Sequence, residues 1–180
     1  MLIPRDARLV FSRAQIDRAI EALAGQINQH LAGTETVVLT VMQGGLVFAG
    51  HLLPQLTFPL QLDYVHATRY RGELSGEAVR WLAKPHTPLR DQRILLLDDI
   101  HDQGFTLENI VAWCRSQGAA QVLSAVLLRK RHQRERSEYL PDYAALEVGD
   151  DYVFGFGMDK HHRWRNLDGV YRVIDPAEAS

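Results

Sequence analysis

One cysteine, Cys114, occurs in 180 residues. An intrachain disulfide is therefore excluded, and a reducing cytosol is the expected location. Cys114 sits at helical spacing among apolar neighbours, which makes it a small core residue before a nucleophile. Apolar runs long enough to cross a membrane are absent. Residues 1–8 carry early charges and no apolar stretch, so no signal peptide is expected. The pattern G-x-G-x-x-G is missing, and so is G-K-[ST]; a dinucleotide fingerprint and a P-loop are both excluded. There is little excess charge of either sign: the formal net charge is −2. A dedicated nucleic-acid binder is usually strongly basic, so nucleic acid is not an expected partner, although a local basic patch remains open. Internal repeats and low-complexity tracts are absent as well.

What is present is an ordinary globular balance, 46% apolar and 23% charged, in a length that suits one domain with one good core. Ser12 and Gln15 form a capping box, and Ile16, Ile20, Leu23, Ile27 and Leu31 follow at helical spacing. A helix is expected over 13–32, stopped at Gly33. Residues 36–42 (TVVLTVM) are a β-branched run, hence a buried strand. Gln43-Gly44-Gly45 turns it into a second helix over 46–53, which Pro54 ends. Residues 60–67 and 79–82 are expected strands. Between them, 68–78 is polar and aperiodic, with Gly72 and Gly76. Long loops in compact domains are often functional. Residues 93–98 form a strongly apolar strand and 101–105 a turn. Thr106 is placed to cap a helix on which Leu107, Ile110, Val111 and Cys114 share a face. Gly118 ends that helix, and 121–128 is the next buried strand. This βαβ unit should be parallel and right-handed. After the basic segment 129–136 come β-like pieces near 152–157 and 170–174. The expected fold is α/β: an open, mainly parallel twisted sheet flanked by helices, with function at the carboxyl ends of the strands.

Residues 94–106 read ILLLDDIHDQGFT. An apolar strand, an acidic pair at its end, and an Asp-x-Gly-x-Thr turn opening a helix coincide here. Such a turn aims backbone N–H groups at one spot, and the helix dipole adds partial positive charge. Gly104 permits close approach and Thr106 adds a hydroxyl. That suits a phosphate monoester. Asp98 and Asp99 are poor phosphate neighbours but good partners for ribose hydroxyls and Mg²⁺. Phosphate beside diol beside metal describes a sugar phosphate.

This segment resembles the phosphoribosyl pyrophosphate (PRPP) motif of type I phosphoribosyltransferases. Other parts resemble the hypoxanthine-guanine branch. Met42-Gln43-Gly44-Gly45 stands where the family has its pyrophosphate loop. Arg69-Tyr70 stands in the mobile loop, where Ser-Tyr is usual. The run 127–131 (LLRKR) resembles the strand end that carries the purine-reading lysine. Residues 152–159 (YVFGFGMD) and 165–167 (RNL) resemble the C-terminal purine and pyrophosphate segment. The resemblance runs in order from about Val37 to Val173.

The resemblance implies a type I phosphoribosyltransferase fold, with a core over about 34–130 and a small hood from about 1–12 and 140–175. It implies transfer of the phosphoribosyl group to N9 of hypoxanthine or guanine, with Mg²⁺ as cofactor and a homodimer or homotetramer as the assembly. By the same resemblance Asp98 and Asp99 hold the ribose diol and metal, and Asp102, Gln103, Gly104, Phe105 and Thr106 hold the 5′-phosphate. Asp102 faces purine N7 as general acid/base. Gln43, Gly44, Gly45, Arg69, Tyr70 and Arg165 contact pyrophosphate. Lys130 donates to the purine O6, Tyr152 stacks on the base, Val153 and Met158 complete the purine site, and Asp159 binds a second Mg²⁺. The loop 68–78 becomes a lid that keeps water from an oxocarbenium-like sugar. The paired His161 and His162 have no third ligand at suitable spacing for a transition metal.

The sequence departs from the family pattern in places. Gln43 replaces a common lysine, Arg69 a common serine, and Gln103 a small hydroxyl residue. Arg69 and Arg71 are expected to restore positive charge on the pyrophosphate side. Three other readings stay open at this stage. One is a nucleotide-sensing, nucleic-acid-binding regulator on the same fold, using 129–136. Another is a transferase for xanthine, adenine or a pyrimidine. The last is a phosphohydrolase or phosphoacceptor built on Asp98 or Asp99.

Overall fold

Ile94 and Leu96 pack into one apolar cluster, whereas Leu95 and Leu97 pack into another. Alternate residues of a strand point to opposite faces, so a strand apolar on both must be covered on both. The computed structural model describes residues 3–69 (the side chain of Arg69 excepted) and 79–174. On one face lie α1 (Arg13–Leu31), burying Ile16, Ile20, Leu23, Ile27 and Leu31, and α2 (Gly45–Leu52), burying Phe48 and Leu52. On the other lies α3 (Phe105–Ser116), burying Leu107, Ile110, Val111 and Cys114. Burial pushes the Cys114 thiol up to about 12, so it is an inert core residue.

The strands are β1 (Ala7–Phe11), β2 (Thr36–Val41), β3 (Leu60–Arg69), β4 (Val79–Ala83), β5 (Arg93–His101), β6 (Gln121–Lys130), β7 (Tyr143–Val148), β8 (Val153–Phe154) and β9 (Val170–Val173). Six of them form a sheet in the order β4-β3-β2-β5-β6-β7, parallel except for the β3–β4 pair. This is the open, mainly parallel α/β sheet expected. A separate antiparallel sheet, β1-β9-β8, joins the two ends of the chain around Phe154, Leu167 and Tyr171. From β2 the chain proceeds outward to β3, and from β5 it proceeds the opposite way to β6. The carboxyl ends of β2 and β5 therefore flank the switch point, the place where open α/β sheets bind ligands.

Several boundaries differ from expectation. Strand β5 does not stop at 98 but runs to His101, because β6 pairs with it as far as His101 opposite Arg129. Thr106 is not the helix cap. Gly104 is, with φ at 82°, and Thr106 lies inside the first turn. Strand β7, within the 140–175 span expected for the hood, is instead the sixth strand of the large sheet. The hood strand β1 had no periodic signal. Beyond 69, the expected lid with Tyr70, Arg71, Gly72 and Gly76 lies outside the described residues.

Candidate active site

Strand β2 ends at Val41, and the Met42–Gln43 peptide that follows is cis. Gly44 and Gly45 then open α2 against the end of β5. A Cβ on Gly44 would stand 1.8 Å from Asp99 Oδ2, and one on Gly45 2.7 Å from the Leu97 carbonyl oxygen. Both glycines are required by contact. Gly44→Ala is expected to cost about 1–3 kcal/mol, a Tm drop of about 3–10 °C by calorimetry, and to displace the Asp99 carboxylate. A native Tm would mean that Asp99 swings clear.

Asp98 is buried beside Asp99. Burial, then the neighbouring Asp99 charge, pushes its carboxyl well above the usual carboxylate range. Burial raises Asp99 too, against the opposing pull of hydrogen bonds and the Arg165 guanidinium. Two desolvated carboxylates at the switch point are poised for a cation or for hydroxyl donors.

Beyond them the turn curls around a small cavity of about 140 Å³. Asp98, Asp102, Gln103, Gly104, Phe105 and Thr106 all line it. A Cβ on Gly104 would lie 2.5 Å from His101 Nε2. His101 accordingly acts as the floor of the turn, tied through Nε2 to the Tyr139 carbonyl oxygen at 3.0 Å. Burial holds its imidazole below the usual range, which suits a neutral structural role. Gln103 donates from Nε2 to the Glu135 carbonyl oxygen (2.8 Å) and accepts at its own carbonyl from the Ser137 amide (2.8 Å). The Ser137 bond is to the Gln103 backbone, so what the glutamine side chain adds over a small hydroxyl residue is the bond to Glu135.

The second cavity, about 180 Å³, is lined by Asp99, Asp102, Lys130, Tyr152, Val153, Met158 and Asp159. Lys130, Tyr152, Val153 and Met158 were expected around the purine, Asp102 opposite its N7, and Asp99 and Asp159 at metal. Strand alternation sorts the basic run. The Lys130 side chain is 9% exposed and turns inward, with Nζ 3.7 Å from Asp102 Oδ2. Arg129 and Arg131 turn the other way and share Glu147. Tyr152 is exposed along the cavity rim and donates to the Asp159 carbonyl oxygen. Arg165 binds the Gly157 carbonyl oxygen and Asp159 Oδ1, both at 2.7 Å. A Cβ on Gly157 would stand 2.3 Å from the Gly44 carbonyl oxygen. The C-terminal segment therefore closes directly on the Gln43–Gly45 loop. The Arg69 backbone ends β3, and Tyr70 lies outside the described residues.

A model of the phosphoribosyl transferase domain matches residues 12–161. The chain belongs to the phosphoribosyltransferase family. A hypoxanthine-guanine phosphoribosyltransferase of Mycoplasma pneumoniae is 31% identical over 94% of this chain and 97% of its own length. One of Bacillus subtilis is 26% identical over 94% of each. A Bacillus anthracis hypoxanthine-guanine phosphoribosyltransferase, solved with a HEPES molecule in its active site, superposes with a TM-score of 0.86, covering 93% of this chain and 98% of that one at 25% identity.

Sequence reasoning about this phosphoribosyltransferase missed part of the site. His132 Nε2 lies 3.1 Å from Asp102 Oδ1, and Arg134 Nη2 lies 2.7 Å from the same oxygen. Both belong to a basic run that reads as solvated surface. Their convergence on Asp102 depends on the fold-back of 131–142, for which a single sequence carries no signal.

Proposed function

We propose that this chain transfers the 5-phosphoribosyl group of PRPP to N9 of hypoxanthine or guanine, releasing pyrophosphate and IMP or GMP, in purine salvage. One observation carries the reading: an inward lysine, Lys130, and a carboxylate, Asp102, share the wall of a base-sized cavity that opens beside the phosphate turn. The names of the relatives point the same way.

Roles follow from position. The 102–106 turn receives the 5′-phosphate on backbone donors. Asp98 and Asp99 take the ribose hydroxyls. Lys130 donates to a 6-oxo group, whereas the 6-amino group of adenine would oppose donor to donor. Asp102 exchanges a proton at N7 as N9 attacks the anomeric carbon. The Gly44–Gly45 amides and Arg165 receive the departing charge of pyrophosphate, and Gln43 and Arg69 belong to the same side. Lys130→Met should raise KM for hypoxanthine and guanine about 10- to 100-fold, the worth of one charged hydrogen bond; an unchanged KM would place the 6-oxo donor elsewhere.

The donor set suits Mg²⁺. Among the described residues no three His, Cys, Asp or Glu side chains gather into a metal cage. Mg²⁺ is typically held by one or two carboxylates and completed by substrate phosphates. Asp98 and Asp99 would hold it on the ribose side, and Asp159 near Arg165. When bound, it neutralises charge on the leaving pyrophosphate.

We further propose the partition into a core over about 34–130, to which β7 adds the sixth strand, and a hood from both termini, and self-association as a homodimer or homotetramer. An apolar groove of about 490 Å³, lined by Met42, Leu46, Leu53, Leu62 and Tyr64, offers a surface for it. Operation in the cytosol belongs to the same proposal. Among the described residues no helix is long and apolar enough to cross a membrane. The basic run is largely neutralised by Glu147, Asp102 and Asp150, which speaks against a nucleic-acid partner.

The deciding experiment is pyrophosphate release from PRPP and Mg²⁺ with hypoxanthine, guanine, xanthine or adenine, alongside Asp102→Ala. Release with the 6-oxopurines, reduced in the variant, supports the proposal. No release with any base, from folded protein that binds PRPP, would leave a sensor built on the same fold.

A further inference from the structure

Among the described residues, His132 Nδ1 is a buried side-chain atom without a hydrogen-bond partner. The imidazole is only 1% exposed. Its other nitrogen, Nε2, hydrogen-bonds the Asp102 carbonyl oxygen at 3.1 Å and stands 3.1 Å from Asp102 Oδ1 as a close electrostatic contact. Two acceptors around Nε2 place the proton there. The opposite tautomer would set a lone pair against both oxygens and strand a buried N–H, the costlier of the two unmade bonds.

Asp102 itself is 39% exposed on a turn, so its carboxylate needs an external restraint to hold one rotamer. Arg134 reaches the same Oδ1 but is 43% exposed and shared with Asp150. Exposed pairs of this kind restrain little. The buried ring is the firmer tether. With Oδ1 taken, Oδ2 faces Lys130 and the base-sized cavity.

We propose that His132 is a positioning residue for Asp102. Its Nε2 is anchored on the Asp102 backbone carbonyl and stands 3.1 Å from Oδ1, so the buried ring holds the carboxylate with Oδ2 turned toward the purine proton. The proposal rests on Asp102 acting as the acid/base group. It gives His132 no contact with substrate and no proton transfer of its own.

The test pairs His132→Leu, which removes the donor but keeps an apolar filling, with His132→Gln, whose amide nitrogen reaches the place of Nε2. Misorientation should lower kcat about 10- to 100-fold in the leucine variant while KM for PRPP stays near native. The glutamine variant should recover most of kcat. Native kcat in folded His132→Leu, or His132→Gln no better than leucine, would overturn the proposal. Nitrogen-15 NMR of the histidines in the native protein covers the case in which the variants do not fold. The Nε2–H tautomer is expected at His132, and the Nδ1–H tautomer would overturn it. Turnover of Asp102→Asn, measured beside native turnover, tests the acid/base reading separately, because the tautomer is read whether or not the protein is active.

Discussion

Asp102→Asn is expected to fold as the native protein does and to lose about 10²- to 10⁴-fold in kcat, the usual worth of a positioned acid/base group. Asparagine keeps the shape of the side chain. Its carbonyl oxygen can still accept from Arg134 Nη2, 2.7 Å from Oδ1 in the native protein, and face His132 Nε2 at 3.1 Å. What it cannot do is take up or return a proton. On the proposed reading the 102–106 turn takes phosphate on backbone donors, so KM for PRPP should change little. Steady-state kinetics with hypoxanthine separates the two constants. A kcat within about threefold of native would remove Asp102 from proton transfer and leave it a turn residue. A large rise in KM for PRPP with normal kcat would instead make it a phosphate-site residue.

The parts of this site that lie close together in sequence were legible, and the parts assembled by fold-back were not. The phosphate turn is nearly continuous from Asp98 to Thr106, so its residue order alone describes the cavity they line. Helix α1 was legible because its capping box and apolar spacing agree, and Ser12 N does donate to Gln15 Oε1 at 2.9 Å. Strand β7 was not: YAALEV alternates weakly, and its place is set by pairing with β6 rather than by local preference. The split between Lys130 and its arginine neighbours needed β6 to run to residue 130 instead of 128, since only then does alternation turn Lys130 inward. Gln103 could be noted as a departure, but its side-chain bond to the Glu135 carbonyl oxygen depends on a segment about thirty residues away.

Asp98→Asn is expected to make the protein more stable and unable to turn over PRPP. Asp98 is buried next to a second carboxyl, and burial holds its acid form to higher pH than in the unfolded chain. The sign follows from linkage. A group whose folded pKa is raised binds its proton more tightly when folded. Its ionisation therefore subtracts stability as pH climbs past the unfolded value, about 4 for Asp. Asparagine accepts the Asp99 amide hydrogen bond, 2.9 Å in the native protein, without ever carrying that charge. The variant should gain on the order of 1 kcal/mol at pH 7–8, a Tm rise of about 3 °C without ligand. The gap should close below about pH 4, where the unfolded aspartate is itself protonated. With Mg²⁺ and PRPP the order should reverse. On the proposed reading a cation would satisfy the buried pair of the native protein and the variant would lack the charge to hold it, so ligand should raise the native Tm well above that of the variant. Thermal melts across pH, with and without Mg²⁺ and PRPP, read all of this at once. A variant less stable than native at pH 8 without ligand, with the deficit shrinking on acidification, would mean that Asp98 is an ordinary stabilising carboxylate rather than one held in readiness for a cation.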